Sequence, residues 1–377
     1  MTDRAYVATR KGVFTLTRKH NNDKKWAIDG VSFLGDNASI VAHDPRDGAV
    51  YVALGHGHFG VKMHRSDDGG VTWKPIATPE YPPPPALSEG EEPQKDFWGR
   101  PMPTTLQLVW CLEPGGNPGE LWCGTIPGAL FHSTDRGESW RRVDALWNHP
   151  LRKHWTGGGA DYPGIHSVCV NPRDPKHVSV GVSCGGMWVT RDGGETWNCK
   201  ADGMRAEYKP PDKQFEPNVQ DPHRIVQCPA NTDAMWAQHH NGIFRTTNGG
   251  EQWSEIKPAP PFASAFGFAV CVHPKHGDTA WFVPAVKDEH RIPVDGKIAV
   301  TRTRDGGKSF DVLRDGLPQE HAYDLVFRHG MDIDTTGERL VFGSTTGSLW
   351  ITENAGDSWE TIARNLPPIY CVRFANV

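Results

Sequence analysis

The chain has 377 residues, a formal net charge of −5 at pH 7 and 18 histidines. The mild acidity leaves no basic footprint for nucleic acid, and no apolar run has the length of a signal region or a membrane span. With 41 glycines, 31 prolines and 15 tryptophans, the composition instead suits a turn-rich all-β protein. The expectation is a cytoplasmic chain with no nucleic-acid partner and no membrane partner.

Residues 5–32 read as three strands: Ala5 to Ala8, Gly12 to Leu16, and a third opened by Trp26. Four-strand units then follow. The second spans 39–77, with strands starting near Ser39, Val50 and Val61. The third spans 107–143 (Gln107, Glu120, Ala129) and the fourth 165–199. The fourth is the clearest: Ile165 to Val170, a turn Asn171-Pro172-Arg173-Asp174-Pro175, His177 to Val182, Met187 to Thr190, and a last strand from Trp197. The fifth covers 223–257 (His223, Ala234, Ile243), the sixth 268–313 (Phe268, Thr279, Ile298) and the seventh 323–362 (Tyr323, Leu340, Ser348). Ile369-Tyr370-Cys371-Val372-Arg373-Phe374 has the pattern of a first strand with nothing after it.

A short stretch joins the third and fourth strands of the second to seventh units, with its fullest copy at Thr190-Arg191-Asp192-Gly193-Gly194-Glu195-Thr196-Trp197. It recurs at Ser66–Trp73, Ser133–Trp140, Thr246–Trp253, Thr303–Phe310 and Thr352–Trp359, and the copies end 67, 57, 56, 57 and 49 residues apart. Asp or Asn accepts backbone N–H bonds inside its own turn, Gly supplies positive φ, and the closing aromatic buries a large apolar surface. Self-similarity at a period near fifty marks an array or a propeller. The lone strand at 369–375 has its missing partners at 5–32, and pairing them closes the ring and removes the open edge. The reading is a seven-bladed β-propeller spanning 1–377, all-β, closed by the C-terminal strand completing the first blade.

The repeated stretch resembles the Asp-box (BNR) repeat of the sialidase-like β-propellers. That superfamily holds sialidases, sortilin-type receptors, some glucan-cleaving glycoside hydrolases, and proteins like the photosystem II assembly factor. The resemblance implies the propeller fold, with the Asp-boxes on the face away from the active site. Sialidases resemble one another in a pocket of three Arg, a Tyr–Glu pair and an Asp acid, with an Arg-Ile-Pro motif near the N-terminus. Here Arg291-Ile292-Pro293 falls in the sixth blade, and the ring has seven blades where the typical sialidase has six. Arg224, Arg291 and Arg373, with Tyr323 or Tyr370 as nucleophile, could form such a set, but the departure weighs against sialidase activity.

The strand register gathers the long segments on the face opposite the boxes: 80–105, 144–164, 200–222, 258–267 and 285–296. Long loops on one side of a rigid scaffold suggest a functional surface. Ten histidines map there, and imidazoles suit proton transfer or metal ligation. The candidate catalytic residues are His166, His223, His239, Asp161, Asp324 and Tyr323. Arg224, Arg291, Tyr370 and Trp98 are candidates for substrate binding, since Arg pairs with carboxylates and aromatic rings stack on sugars. His56, His58 and His240 are candidate ligands for a divalent metal. Eight cysteines without a CxxC pair read as free thiols, with Cys184 set apart in a loop.

The functional expectation is a hydrolase or lyase, glycoside hydrolase-like, acting on a small-molecule or saccharide substrate that is polar or anionic. The alternative is a non-catalytic platform for protein binding or assembly.

Overall fold

Repeated strand–turn units can bury their apolar faces only against one another, and here they do so in a circle. The computed structural model describes residues 3–19, 25–83, 92, 95, 99–158, 160–258 and 264–375. They form seven four-stranded antiparallel sheets. Blade four is representative, with an innermost strand Gly164–Val170, then Val178–Ser183, Gly186–Thr190 and the outermost Asn198–Cys199. Successive innermost strands pack side by side around a central channel. The protein is a seven-bladed β-propeller.

Closure is as the strand pattern requires. Ile369–Phe374 pairs antiparallel with Arg4–Thr9, giving the sheet order last strand, first, second, third. The strand also bonds to blade seven, where Val372 N–H donates to the His329 carbonyl at 2.8 Å.

Between blades the core is aromatic. Trp122, Trp188, Trp236, Trp281 and Trp350 are essentially fully buried. Each removes about 200 Å² from water, equivalent to about 5 kcal/mol before conformational costs. The box turns add polar order at the rim. In blade four Thr190 Oγ1 donates to Asp192 Oδ1 at 2.7 Å and accepts from Gly194 N–H, while Asp192 takes the N–H and hydroxyl of Thr196 at 2.9 and 2.6 Å. Gly193 (φ +77°) occupies the left-handed region that the turn demands.

Blade seven departs from the sequence reading. Its innermost strand is Met331–Ile333, not a strand beginning at Tyr323. Residues 323–330 form an irregular approach whose carbonyls and carboxylates serve neighbouring turns. Asp324 accepts from Ser344 Oγ at 2.7 Å and from Thr346 Oγ1, and Thr345 N–H donates to the Leu325 carbonyl at 2.8 Å.

One local irregularity recurs and positions the site. The pairing between the first and second strands skips a residue at Ser39, Trp110, His166, His223 and Tyr370, and shifts between Gly267 and Val270 around Phe268. These are β-bulges at equivalent places, one per blade in six blades. A bulge re-aims a side chain and bends its strand. Here they put one side chain per blade at the long-loop end of the channel.

Candidate functional site

The richest convergence lies where blades four, five and six meet at that end. Gln220 and Asp221 run into the bulged strand Pro222–Cys228. Their backbone is clamped on both sides. Gly185 and Gly186 N–H donate to the Gln220 carbonyl at 3.0 and 2.9 Å, and His240 N–H donates to the Asp221 carbonyl at 3.0 Å. Asp221 N–H in turn donates to His239 Nε2 at 3.0 Å.

The two oxygens of the buried Asp221 carboxylate then divide their roles. Oδ1 accepts from Ser183 Oγ at 3.2 Å and Cys184 N–H at 3.3 Å. Oδ2 faces two imidazoles, His223 Nε2 at 3.7 Å and His240 Nδ1 at 3.6 Å. Burial alone would raise the Asp221 pKa, but His223, Arg328 and His239 outweigh it and hold the carboxyl well below the usual carboxylate range. The group is an anion at any working pH.

His223 is fixed on every side. It stacks on Phe268 at 4.4 Å, meets Phe266 and His240 edge-on, and its Nδ1 lies 2.7 Å from the Gly267 carbonyl. Burial lowers its pKa, opposed by Asp221. His240 is the accessible ring, with a quarter of its side chain exposed. Tyr208 packs edge-on against it at 5.0 Å and donates its hydroxyl to the Val219 carbonyl.

The cleft above has a volume of about 560 Å³. Its rim carries Thr156, Asp161, Tyr208, Lys209, Asp288 and Arg291. Gly158 closes over the carboxylate: a Cβ there would lie 3.0 Å from Asp221 Oδ2 and 2.6 Å from Ser183 Oγ. Below the cleft sits Arg328, buried against the faces of Trp110 and Phe268, with Nε and Nη2 lacking hydrogen-bond partners. Burial lowers its pKa to about 10, which still leaves a cation at neutral pH.

Several sequence candidates lie elsewhere. His239 is buried, and each of its ring nitrogens faces a backbone N–H, that of Asp221 or of Asn241. It organises the turn and offers no free nitrogen, and burial pushes its pKa down to about 3. His56 and His58 stay on an exposed turn of blade two; His56 lies 3.8 Å from Asp36 and His58 packs at a tilt against Phe59. The structure does not bring them to His240, whose neighbours are Asp221 and His223. Tyr323 is exposed and Asp324 is consumed by its turn, so neither reaches the cleft. Trp98 lies outside the described residues. Asp161 is at the rim, paired with Arg100 at 3.3 Å. Arg291 is there too, bound to Asp288 and resting over Phe268.

The remaining candidates line the channel. His166 is fully buried, its Nδ1 2.9 Å from Ser167 Oγ and its Nε2 without a partner. Tyr370 is half-buried and stacks on Phe327. Arg224 donates to His329 Nδ1 at 2.8 Å and lies 3.8 Å from Glu113. Deeper still, Arg373 pairs with Glu113 and approaches Asp332 at 3.9 Å. This lower network opens to the box face through a cavity of about 350 Å³. Arg224 and Arg373 are therefore tied into a charge cluster remote from Arg291, and the three do not form a single anion pocket.

Sequence reasoning passed over Arg328, Tyr208 and Lys209. Arg328 was hidden by the register assumed for blade seven. Tyr208 and Lys209 sit in an irregular loop with no periodicity to place them.

Fold and site together define a seven-bladed propeller with a polar, histidine-containing cleft at the long-loop mouth of its channel. No family model matches the chain. An oligoxyloglucan-reducing end-specific xyloglucanase of Emericella nidulans is 26% identical over 263 residues, covering 64% of this chain and 30% of its own. The chain thus spans less than a third of the length of that relative. Among solved structures, a GH74 xyloglucanase from Xanthomonas campestris superimposes with a TM-score of 0.66 at 19% identity, over 97% of this chain and 53% of its own. A periplasmic gluconolactonase from Pseudomonas aeruginosa superimposes with a TM-score of 0.60 at 12% identity, over 98% of both chains.

Proposed function

We propose that the protein is a hydrolase acting on a saccharide or sugar-derived polar substrate bound in the cleft, on an Asp-box propeller of the sialidase-like type. The observation that carries this is the convergence of Asp221, His223 and His240 beneath a cleft rimmed by Lys209 and Arg291. A permanently ionised carboxylate orients two imidazoles, one of them reachable, which is what activation of a water requires. The attacking water would give its proton to this cluster as its oxygen bonds to the carbon under attack. The leaving oxygen would take a proton back. Lys209, Arg291 and Arg328 supply positive charge for an anionic or polyhydroxylated substrate. The sequence relationship to xyloglucanases supports a saccharide as the substrate class.

The test is turnover of a panel of oligosaccharides, aryl glycosides and sugar lactones by the wild type and by His240→Gln. Hydrolysis of at least one class is expected, with kcat reduced about 100-fold or more in the variant and the unfolding midpoint unchanged. Equal rates in the two proteins would rule the cleft out as the active site. Absence of turnover across the panel, with a peptide or protein ligand captured at this face, would favour the binding-platform alternative.

A further inference from the structure

Proton accounting at His223 leads beyond a simple acid–base cluster. The Gly267 carbonyl can only accept a hydrogen bond, so His223 Nδ1, 2.7 Å away, carries the proton. With Nδ1 so engaged, Nε2 is the ring nitrogen left to face Asp221 Oδ2. The separation of 3.7 Å is too long for a hydrogen bond. His240 Nδ1 stands off the same oxygen by a similar 3.6 Å. All three donor atoms lie within 4.8 Å of one another.

We infer that Asp221 Oδ2, His223 Nε2 and His240 Nδ1 are the ligands of a divalent transition-metal ion, with zinc the best match to the donor set. A tetrahedral ion with bonds of about 2.1 Å places neighbouring donors about 3.4 Å apart. Asp221 Oδ2 stands 3.7 and 3.6 Å from the two imidazole nitrogens, close to that spacing. One carboxylate and two imidazoles are a borderline-soft set that favours zinc over magnesium or calcium.

The supports around these ligands are those of a metal site. The Gly267 carbonyl fixes the His223 tautomer. Ser183 and Cys184 occupy Asp221 Oδ1, leaving Oδ2 to bind. His240 is held through its own backbone N–H. Such partners orient ligands and tune them. His239 is set aside because its two ring nitrogens face the backbone N–H groups of Asp221 and Asn241 and not the Asp221 carboxylate. With three protein ligands, the fourth position faces the cleft, as in sites that bind water or a substrate oxygen. Gly158 keeps that approach free of a side chain.

The inference rests on the cleft reading above, with the cluster acting as ligands of the ion rather than itself taking the proton from water, but its test does not depend on turnover. Protein stripped with EDTA would be titrated with zinc chloride, and separately with magnesium chloride, by calorimetry. The wild type should bind one zinc ion per chain and no magnesium. His240→Gln, at a partly exposed position, should fold and bind zinc at least tenfold more weakly. Asp221→Asn should abolish binding. A His56→Gln/His58→Gln double variant should bind as the wild type does. Failure of the wild type to take up stoichiometric zinc, or wild-type affinity in His240→Gln, would overturn the inference. Full turnover by EDTA-stripped protein would do the same while leaving the hydrolase reading intact. Stoichiometric zinc without turnover would uphold the metal and remove the hydrolase.

Discussion

At the scale of single residues, the channel is unusual in burying imidazoles beside guanidinium groups. His166 and His329 are both buried, and burial together with Arg328 and Arg224 keeps them neutral well below the ordinary histidine range. In the unfolded chain each would protonate near pH 6.5. The unfolded state therefore binds more protons below that pH, and stability must fall as the solution is acidified. The expected slope is about 1.4 kcal/mol per pH unit for each such histidine, beginning near pH 6.5, with a plateau at higher pH. Chemical denaturation of metal-free protein between pH 8 and 5 checks it. His166→Gln should lose about one proton's worth of slope, and a profile flat to pH 5 would show that these rings are not kept neutral. His223 was legible in the sequence as a channel residue from its place at the head of a strand. Its partnership with Asp221 was not, because it depends on which of two adjacent histidines turns inward. His239 and His240 are indistinguishable by pattern, yet the first is buried with its ring set against the backbone of Asp221 and Asn241, and the second is left to the cleft.

At the scale of elements, the box turns and the bulges do opposite jobs. The boxes were readable because every part of them is local: an acceptor side chain, glycines at positive φ and a closing aromatic. Their substitutions are informative. Asn248 and Asn354 stand where other boxes have Asp, and both still accept N–H bonds from residues 252 and 358 at 3.0 Å. Asp192→Asn should therefore be nearly neutral, whereas Asp192→Ala removes the acceptor and should cost about 1 kcal/mol, or about 2 °C in midpoint for a chain of this size. Differential scanning calorimetry of the pair would test this, and an equal loss in both would mean that charge rather than acceptance matters. The bulges escaped sequence reading. A bulge is a relation between two strands, and Trp110, His166 and Phe268 share no residue type that would betray their equivalent positions. The short inner strand of blade seven was missed for a related reason, since the apolar run from Tyr323 resembles a strand while its polar groups serve the turn at 344–348.

For the whole molecule, the closure of the ring is the feature that the others depend on. Ile369–Phe374 contributes Cys371 and Phe374 to the buried core, supplies the partner of the first strand, and places Arg373 between Glu113 and Asp332. Deleting residues 369–375 should leave Arg4–Thr9 an exposed edge and remove Arg373 from the partly buried carboxylates of Glu113 and Asp332, a state that costs several kcal/mol. The expected outcome is loss of cooperative unfolding and concentration-dependent association through the open edge, checked by calorimetry and light scattering. A truncated chain that remains monomeric and cooperative would show that the other six blades suffice. The same pairing also sets the order of events on the ribosome. Arg4–Thr9 cannot acquire its inner partner until Ile369–Phe374 has been translated, so blade one stays an unfinished sheet while the six intervening blades are made. Its open edge must be shielded or tolerated over that interval, which makes the nascent chain a natural client for chaperones and makes the arrival of Ile369–Phe374 decisive for whether the product is a ring or an aggregate.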